Sequence, residues 1–175
     1  MDQSLLETLR VVALPTRTNF RGIKVREVAL FKGEYGWAEF SPFLEYEDAE
    51  CAPWLACAIE SATQPRPPLF RNSVKVNGTI PALNDISEIT KIVELFPGVS
   101  SFKVKVGEDL EMDLARIQQV RTLRPDCAIK VDVNGAWSVN EAESFLQSAG
   151  EIEYIEQPCE SVDELRELKK RIDVK

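Results

Sequence analysis

Three short runs decide the fold: Phe102-Lys103-Val104-Lys105-Val106, Ile129-Lys130-Val131-Asp132-Val133-Asn134, and Tyr154-Ile155-Glu156-Gln157-Pro158. Successive side chains of a strand point to opposite faces, so in the first run Lys103 and Lys105 share one face and the three apolar residues the other. The second run repeats this with Lys130, Asp132 and Asn134, and the third puts Glu156 at its C-terminal tip. Corresponding positions lie 27 residues apart (Lys105 to Asp132) and then 24 (Asp132 to Glu156), about one βα unit each. Parallel α/β folds place their sites at the C-terminal ends of strands. Each run alone reads blandly, as an edge strand, an Asn-Gly turn or a strand end. Their recurrence at one period argues for an active site.

Outward from these runs, short β-branched segments alternate with amphipathic ones, the pattern of βα units around a parallel sheet. Strands are predicted at 74–77, 102–106, 129–133 and 151–156. A helix over 85–96 buries Ile86, Ile89, Val93 and Phe96, and one over 110–122 presents Leu110, Leu114, Ile117 and Val120. Ser138 with Glu141, and Ser161 with Glu164, have the spacing of capping boxes and mark two further helix starts. The first 63 residues differ. Strands at 10–14, 23–31 and 35–40, with a turn at Lys32-Gly33 and a polar loop over 15–22, form a meander. A helix over 47–62 follows, starting or kinking at Pro53, with Trp54, Leu55, Ala58 and Ile59 toward one side. The proline-rich 64–72 is a linker. The prediction is α/β: an α+β unit at 1–63 and about four βα units at 73–175.

A 44% hydrophobic content supports a sizeable core, which excludes disordered and fibrous classes. The net charge of -8 disfavours nucleic acid and anionic membranes as partners. No basic-then-apolar leader and no long apolar run is visible, so a cytoplasmic location is expected. Cys51, Cys57, Cys127 and Cys159 form no CxxC pair and read as reduced thiols. Histidine is absent, so Ser-His-Asp and Cys-His systems cannot form. Acid-base chemistry must then rest on Lys, Asp, Glu, Tyr or Cys, or on a metal held by oxygen ligands. Two carboxylates beside an amide suit Mg²⁺. Two lysines on one face disfavour each other's charge, so one can serve as a base. A lysine base beside Mg²⁺ suits removal of a proton α to a carboxylate, with the metal stabilising the enediolate.

These residues resemble the enolase superfamily, which uses a lysine or histidine base with Mg²⁺. The chain is most similar to its o-succinylbenzoate synthase family. The resemblance rests on Arg21-Gly22-Ile23, Arg26-Glu27, the stretch Gly36 to Phe43 (GWAEFSPF), Glu45-Tyr46, Trp54-Leu55, Val76-Asn77, Pro81-Ala82, Lys103-Val104-Lys105, Asp132 to Trp137 and Glu156 to Cys159. It implies a capping domain followed by the first half of a (β/α)8-type barrel, with cap loops closing over a small-molecule carboxylate. It implies Lys105 as the proton-abstracting base, Lys103 as its tuning neighbour, Asp132 and Glu156 as two of three Mg²⁺ ligands, and Asn134 and Arg21 as substrate-binding or supporting residues. The implied reaction is syn dehydration of 2-succinyl-6-hydroxy-2,4-cyclohexadiene-1-carboxylate in menaquinone biosynthesis. The N-succinylamino acid racemase and muconate cycloisomerase types resemble the same framework. A third ligand and an opposing lysine would come from strands beyond Lys175, so the resemblance implies a partial sequence that a C-terminal half or a second copy completes. A non-catalytic half-barrel that binds a complementary polypeptide is the reading from a different class.

Overall fold

The computed structural model describes residues 3–20 and 22–175. It divides into two compact units, at residues 72 and 73.

The first unit holds a short helix α1 (Gln3–Thr8), a three-stranded antiparallel sheet in the order β1 (Arg10–Phe20), β2 (Ile23–Gly33), β3 (Gly36–Phe40), and the helix α2 (Asp48–Thr63). Its core gathers Leu5, Phe31, Ala38, Ala58 and Ala62. Three expectations are corrected here. The segment 15–20 is not a loop: β1 runs on to Phe20, with a shift of register between Pro15 and Phe20. Pro15 is tolerated because β1 is an edge strand, where a missing N–H breaks no ladder. The hairpin turn sits at Glu34–Tyr35 rather than at Lys32-Gly33, since Gly33 pairs with Gly36, and the Tyr35 amide donates to the Ala62 carbonyl of α2 at 2.9 Å. In α2 the buried residues are Cys51, Ala58 and Ala62, whereas Trp54 is exposed and meets Tyr46 edge-on. Pro53 lies inside the helix.

The second unit is a four-stranded parallel sheet in the order β4 (Gly78–Ile80), β5 (Ser101–Lys105), β6 (Ala128–Asp132), β7 (Tyr154–Glu156). Helices α3 (Ser87–Glu94), α4 (Leu110–Leu123) and α5 (Val139–Ala149) connect the strands, and α6 (Val162–Arg171) follows β7. The apolar face of the sheet, with Phe102, Val104, Val106, Ile129, Val131 and Val133, packs against Ile89, Val93, Ile117, Val120 and Phe145. This is the alternation read in the sequence.

The first of these strands is displaced from the expected 74–77 to Gly78–Ile80, and Val74 and Val76 are exposed. Gly78 explains the shift. A Cβ there would collide with the Phe102 ring, so only glycine lets this backbone pair with Phe102 on β5. Strand β7 is shorter than the expected 151–156. On α4, Leu110 is exposed, and the buried stripe is Asp113, Arg116, Ile117 and Val120.

Both capping boxes form. Ser138 and Ser161 accept from the amides of Glu141 and Glu164, whose carboxylates accept from the serine amides at 2.8 and 3.0 Å. Ser138→Ala and Ser161→Ala should each lower stability by about 1 kcal/mol in urea titrations. The Ser138 amide and hydroxyl hold Glu141 below its usual value, and the Ser161 hydroxyl and amide do the same for Glu164. A depressed folded pKa gives support that is complete above the unfolded value and lost as pH falls through the folded one. The effect of each substitution should therefore shrink as the solution is acidified. Among the described residues no helix is long and apolar enough to cross a membrane.

Candidate active site

Register brings the polar residues together. Lys105 on β5 pairs with Asp132 on β6, which pairs with Glu156 on β7, so the three occupy one row at the C-terminal end of the sheet. One row back, Lys103 pairs with Lys130, and Lys130 with Tyr154. All stand on the face opposite the apolar core, as the parity of the strands requires.

Asp132 is the hub. It is 2% exposed, and its Oδ2 accepts from Lys105 Nζ at 2.5 Å and lies 3.0 Å from Lys103 Nζ. Lys103 reaches forward out of its own row and also meets Glu156, at 3.0 and 3.2 Å from the two carboxylate oxygens. Lys105 Nζ donates in addition to Asn134 Oδ1 at 3.1 Å, and the Asn134 amide donates to Asp132 Oδ1 at 3.2 Å. Lys130 sits over the Tyr154 ring at 5.1 Å and within 3.8 Å of Glu153.

Two ammoniums and two carboxylates thus alternate through space. This changes the electrostatic expectation for Lys103. Burial works against the charge on Lys103, but hydrogen bonds to Asp132 and Glu156 outweigh it and hold Lys103 above its usual value. Burial likewise opposes the charge on Asp132, and Lys105 followed by Lys103 overcomes it, holding the carboxyl below its usual range. At Lys103, then, the two carboxylates and not a neighbouring ammonium decide the direction.

The turns that carry these groups are fixed by unusual backbone. Asn134 (φ 56°), two residues beyond β6, and Gln157 (φ 42°), the residue after β7, both adopt the left-handed conformation. The Gly135 amide donates to the Gln157 carbonyl at 2.7 Å, and the Trp137 amide to the Pro158 carbonyl at 3.1 Å. Gly135 has φ 78°, and a Cβ there would press on Glu160 Cα at 3.3 Å, so the position needs glycine.

Five of the six site residues picked from the sequence, Lys103, Lys105, Asp132, Asn134 and Glu156, come together in this cluster. Arg21 lies outside the described residues. The spacing gave no hint of Asp113 and Arg116, which are buried behind β5; their place on the same helical stripe as Ile117 and Val120 is the signal that could have found them. All four cysteines are free thiols.

The donor set consists of hard oxygens, two carboxylates and an amide, and a single ammonium already touches both carboxylates. These residues fit two positions of a Mg²⁺ site, the remaining positions falling to water or other oxygens. Among the described residues no group of three His, Cys, Asp or Glu side chains converges for a metal.

An antiparallel sheet with a helix, then parallel βα units carrying paired lysines and carboxylates at their strand ends, is a recognised combination. Residues 11–62 match the enolase N-terminal domain-like family, and residues 90–175 match the enolase C-terminal domain-like family. The chain belongs to the enolase superfamily. Within it, the chain is 47% identical over 176 residues to o-succinylbenzoate synthase of Mycolicibacterium smegmatis, a match covering 97% of this chain and 54% of that protein. It is a homologue of the o-succinylbenzoate synthases that spans about half the length of the curated relatives it matches. Among solved structures, a dipeptide epimerase from Enterococcus faecalis V583 superposes with a TM-score of 0.68 at 16% identity, over 95% of this chain and 64% of that one. An enolase from Bradyrhizobium complexed with magnesium and mandelic acid gives the same values. These likenesses show the fold.

Proposed function

We propose that this chain carries the proton-abstracting part of an o-succinylbenzoate synthase, a Mg²⁺-dependent carbon-oxygen lyase acting in the cytoplasm. The observation that carries the reading is the single row of Lys105, Asp132 and Glu156 across three adjacent strands, with Lys105 Nζ hydrogen-bonded to Asp132 and Asn134. The similarity to o-succinylbenzoate synthases over nearly the whole chain supports this reaction among those of the superfamily.

Lys105, as the neutral amine, takes the proton α to the carboxylate of 2-succinyl-6-hydroxy-2,4-cyclohexadiene-1-carboxylate. The C–H electron pair moves toward that carboxylate as an enediolate. Asp132 and Glu156 would hold a Mg²⁺ ion, which when bound would supply positive charge against the charge that develops there. The electrons then return to form the aromatic ring as the C–O bond to the hydroxyl breaks. In a syn elimination the departing hydroxide leaves on the face where the Lys105 ammonium now stands. That ammonium returns its proton, and water is released. Asp132 and Asn134 keep the Lys105 nitrogen aimed along one path, and Lys103 holds Asp132 and Glu156 in register with it.

The test is turnover by the full-length protein containing these residues. Loaded with Mg²⁺, it should convert the cyclohexadiene substrate to o-succinylbenzoate, lose activity on chelation, and regain it when Mg²⁺ is restored. Failure to form o-succinylbenzoate, with efficient racemisation of N-succinylamino acids or cycloisomerisation of muconate in its place, would overturn the proposal.

A further inference from the structure

Behind the sheet a second ion pair is buried more completely than the first. Arg116 and Asp113 on α4 are each 1% exposed and meet at 2.5 Å. Their remaining hydrogen bonds all go to backbone. Arg116 Nε donates to the Leu83 carbonyl at 2.7 Å, in the segment after β4, and Arg116 Nη1 donates to the carbonyl of Lys105 itself at 3.3 Å. Asp113 Oδ2 accepts from the Gly107 amide at 2.8 Å. The pair thus holds the last residue of β5, the turn two residues beyond it, and the neighbouring strand's exit.

From the other side, the Val106 amide donates to the Asp132 carbonyl at 3.0 Å. The backbone that bears Lys105 is therefore fixed on both flanks. Filling the wall behind β5 needs no charge: apolar residues of similar volume commonly replace a buried ion pair with no loss of stability. Burial also pushes the Asp113 carboxyl above its usual value in spite of Gly107 and Arg116. What the charged pair adds is a fork of directed hydrogen bonds.

We propose that Arg116 and Asp113 are positioning residues for Lys105, clamping the end of β5 from behind so that the Lys105 nitrogen stays at Asp132 and Asn134. The proposal rests on the reading of Lys105 as the base, and it goes beyond that reading by naming what aims it.

Two variants test it. Arg116→Lys keeps the charge opposite Asp113 but loses the planar fork, and the double variant Asp113→Leu with Arg116→Met removes both charges while keeping volume. In the 175-residue chain, amide hydrogen exchange at Val106 and Gly107 should quicken by roughly tenfold or more, while Val133 on the β6 side, bonded to Glu156, stays protected. In the full-length, Mg²⁺-loaded protein, kcat should fall about 10- to 100-fold with KM within about twofold, the pattern of a displaced catalytic group. Lys105→Ala is measured alongside. If Lys105→Ala is inactive yet both variants turn over normally, the positioning role is wrong and the base assignment stands. If Lys105→Ala is active, the base assignment itself falls. Loss of protection at Val133 equal to that at Val106 would mean the pair merely stabilises the unit, and would also overturn the proposal.

Discussion

Lys105→Ala is expected, on the function proposed above, to lower the dehydration rate by at least ~10² to 10⁴-fold, the usual scale for loss of a general base. The fold should survive. Asp132 keeps Lys103 Nζ at 3.0 Å, so the substitution leaves no buried carboxylate without a cation, and the apolar face of β5 is untouched. Stopped assays of o-succinylbenzoate formation, with circular dichroism confirming the native spectrum, make the check. Substrate affinity should change far less than turnover, because the amine acts on a proton and not on the bulk of the ligand. A Lys105→Ala protein with near-normal turnover and an intact spectrum would be incompatible with the proposed mechanism.

Asp132→Ala should have the largest effect on stability of any single change in the cluster. The residue is almost fully buried and is the meeting point of Lys103 and Lys105, whose side chains are 21% and 14% exposed. Removing it takes away the carboxylate between the two lysines, while Lys103 keeps Glu156 and Lys105 keeps Asn134. Breaking a buried pair on one side costs roughly 3 to 5 kcal/mol; the low end, about 3 kcal/mol, applies here because Lys103 retains Glu156 and both lysines can turn toward water. Asp132→Asn, which keeps the shape and an oxygen for the Asn134 amide, should lose clearly less. Urea denaturation of the two variants tests this, and equal stability of Asp132→Ala and the parent would contradict the hub role drawn from the geometry.

The legibility of this molecule follows from which forces set each element. Alternation in Phe102 to Val106 and Ile129 to Asn134 is a direct imprint of a sheet buried on one face, so the strands, their parity and the row formed by Lys105, Asp132 and Glu156 could be read from spacing alone. The capping boxes are equally local, three residues apart, and they form where Ser138 and Ser161 predict them. Nonlocal contacts were opaque. Where β4 pairs is decided by a ring on β5 that only Gly78 can admit. Helix α1, six residues long, is too short to declare itself by periodicity. Lys103 was read as a like-charged neighbour of Lys105, since no sequence pattern reports that a four-carbon stem crosses a row to reach two carboxylates. An Asp and an Arg three apart on a helix usually signify solvent, and here they signify the deepest ion pair in the unit.

The joined turns after β6 and β7 constrain how such a protein can change over evolutionary time. The Gly135 amide reads the Gln157 carbonyl and the Trp137 amide reads the Pro158 carbonyl, so the two loops are a single hydrogen-bonded body contributed by segments more than twenty residues apart. Adding or deleting one residue in either loop would break both bonds and swing Asp132 and Glu156 relative to each other. Length variation, the easiest source of novelty in surface loops, is closed off at these two positions. Divergence here has to proceed by exchanging side chains on a fixed frame, and insertions that alter ligand choice must enter through other loops.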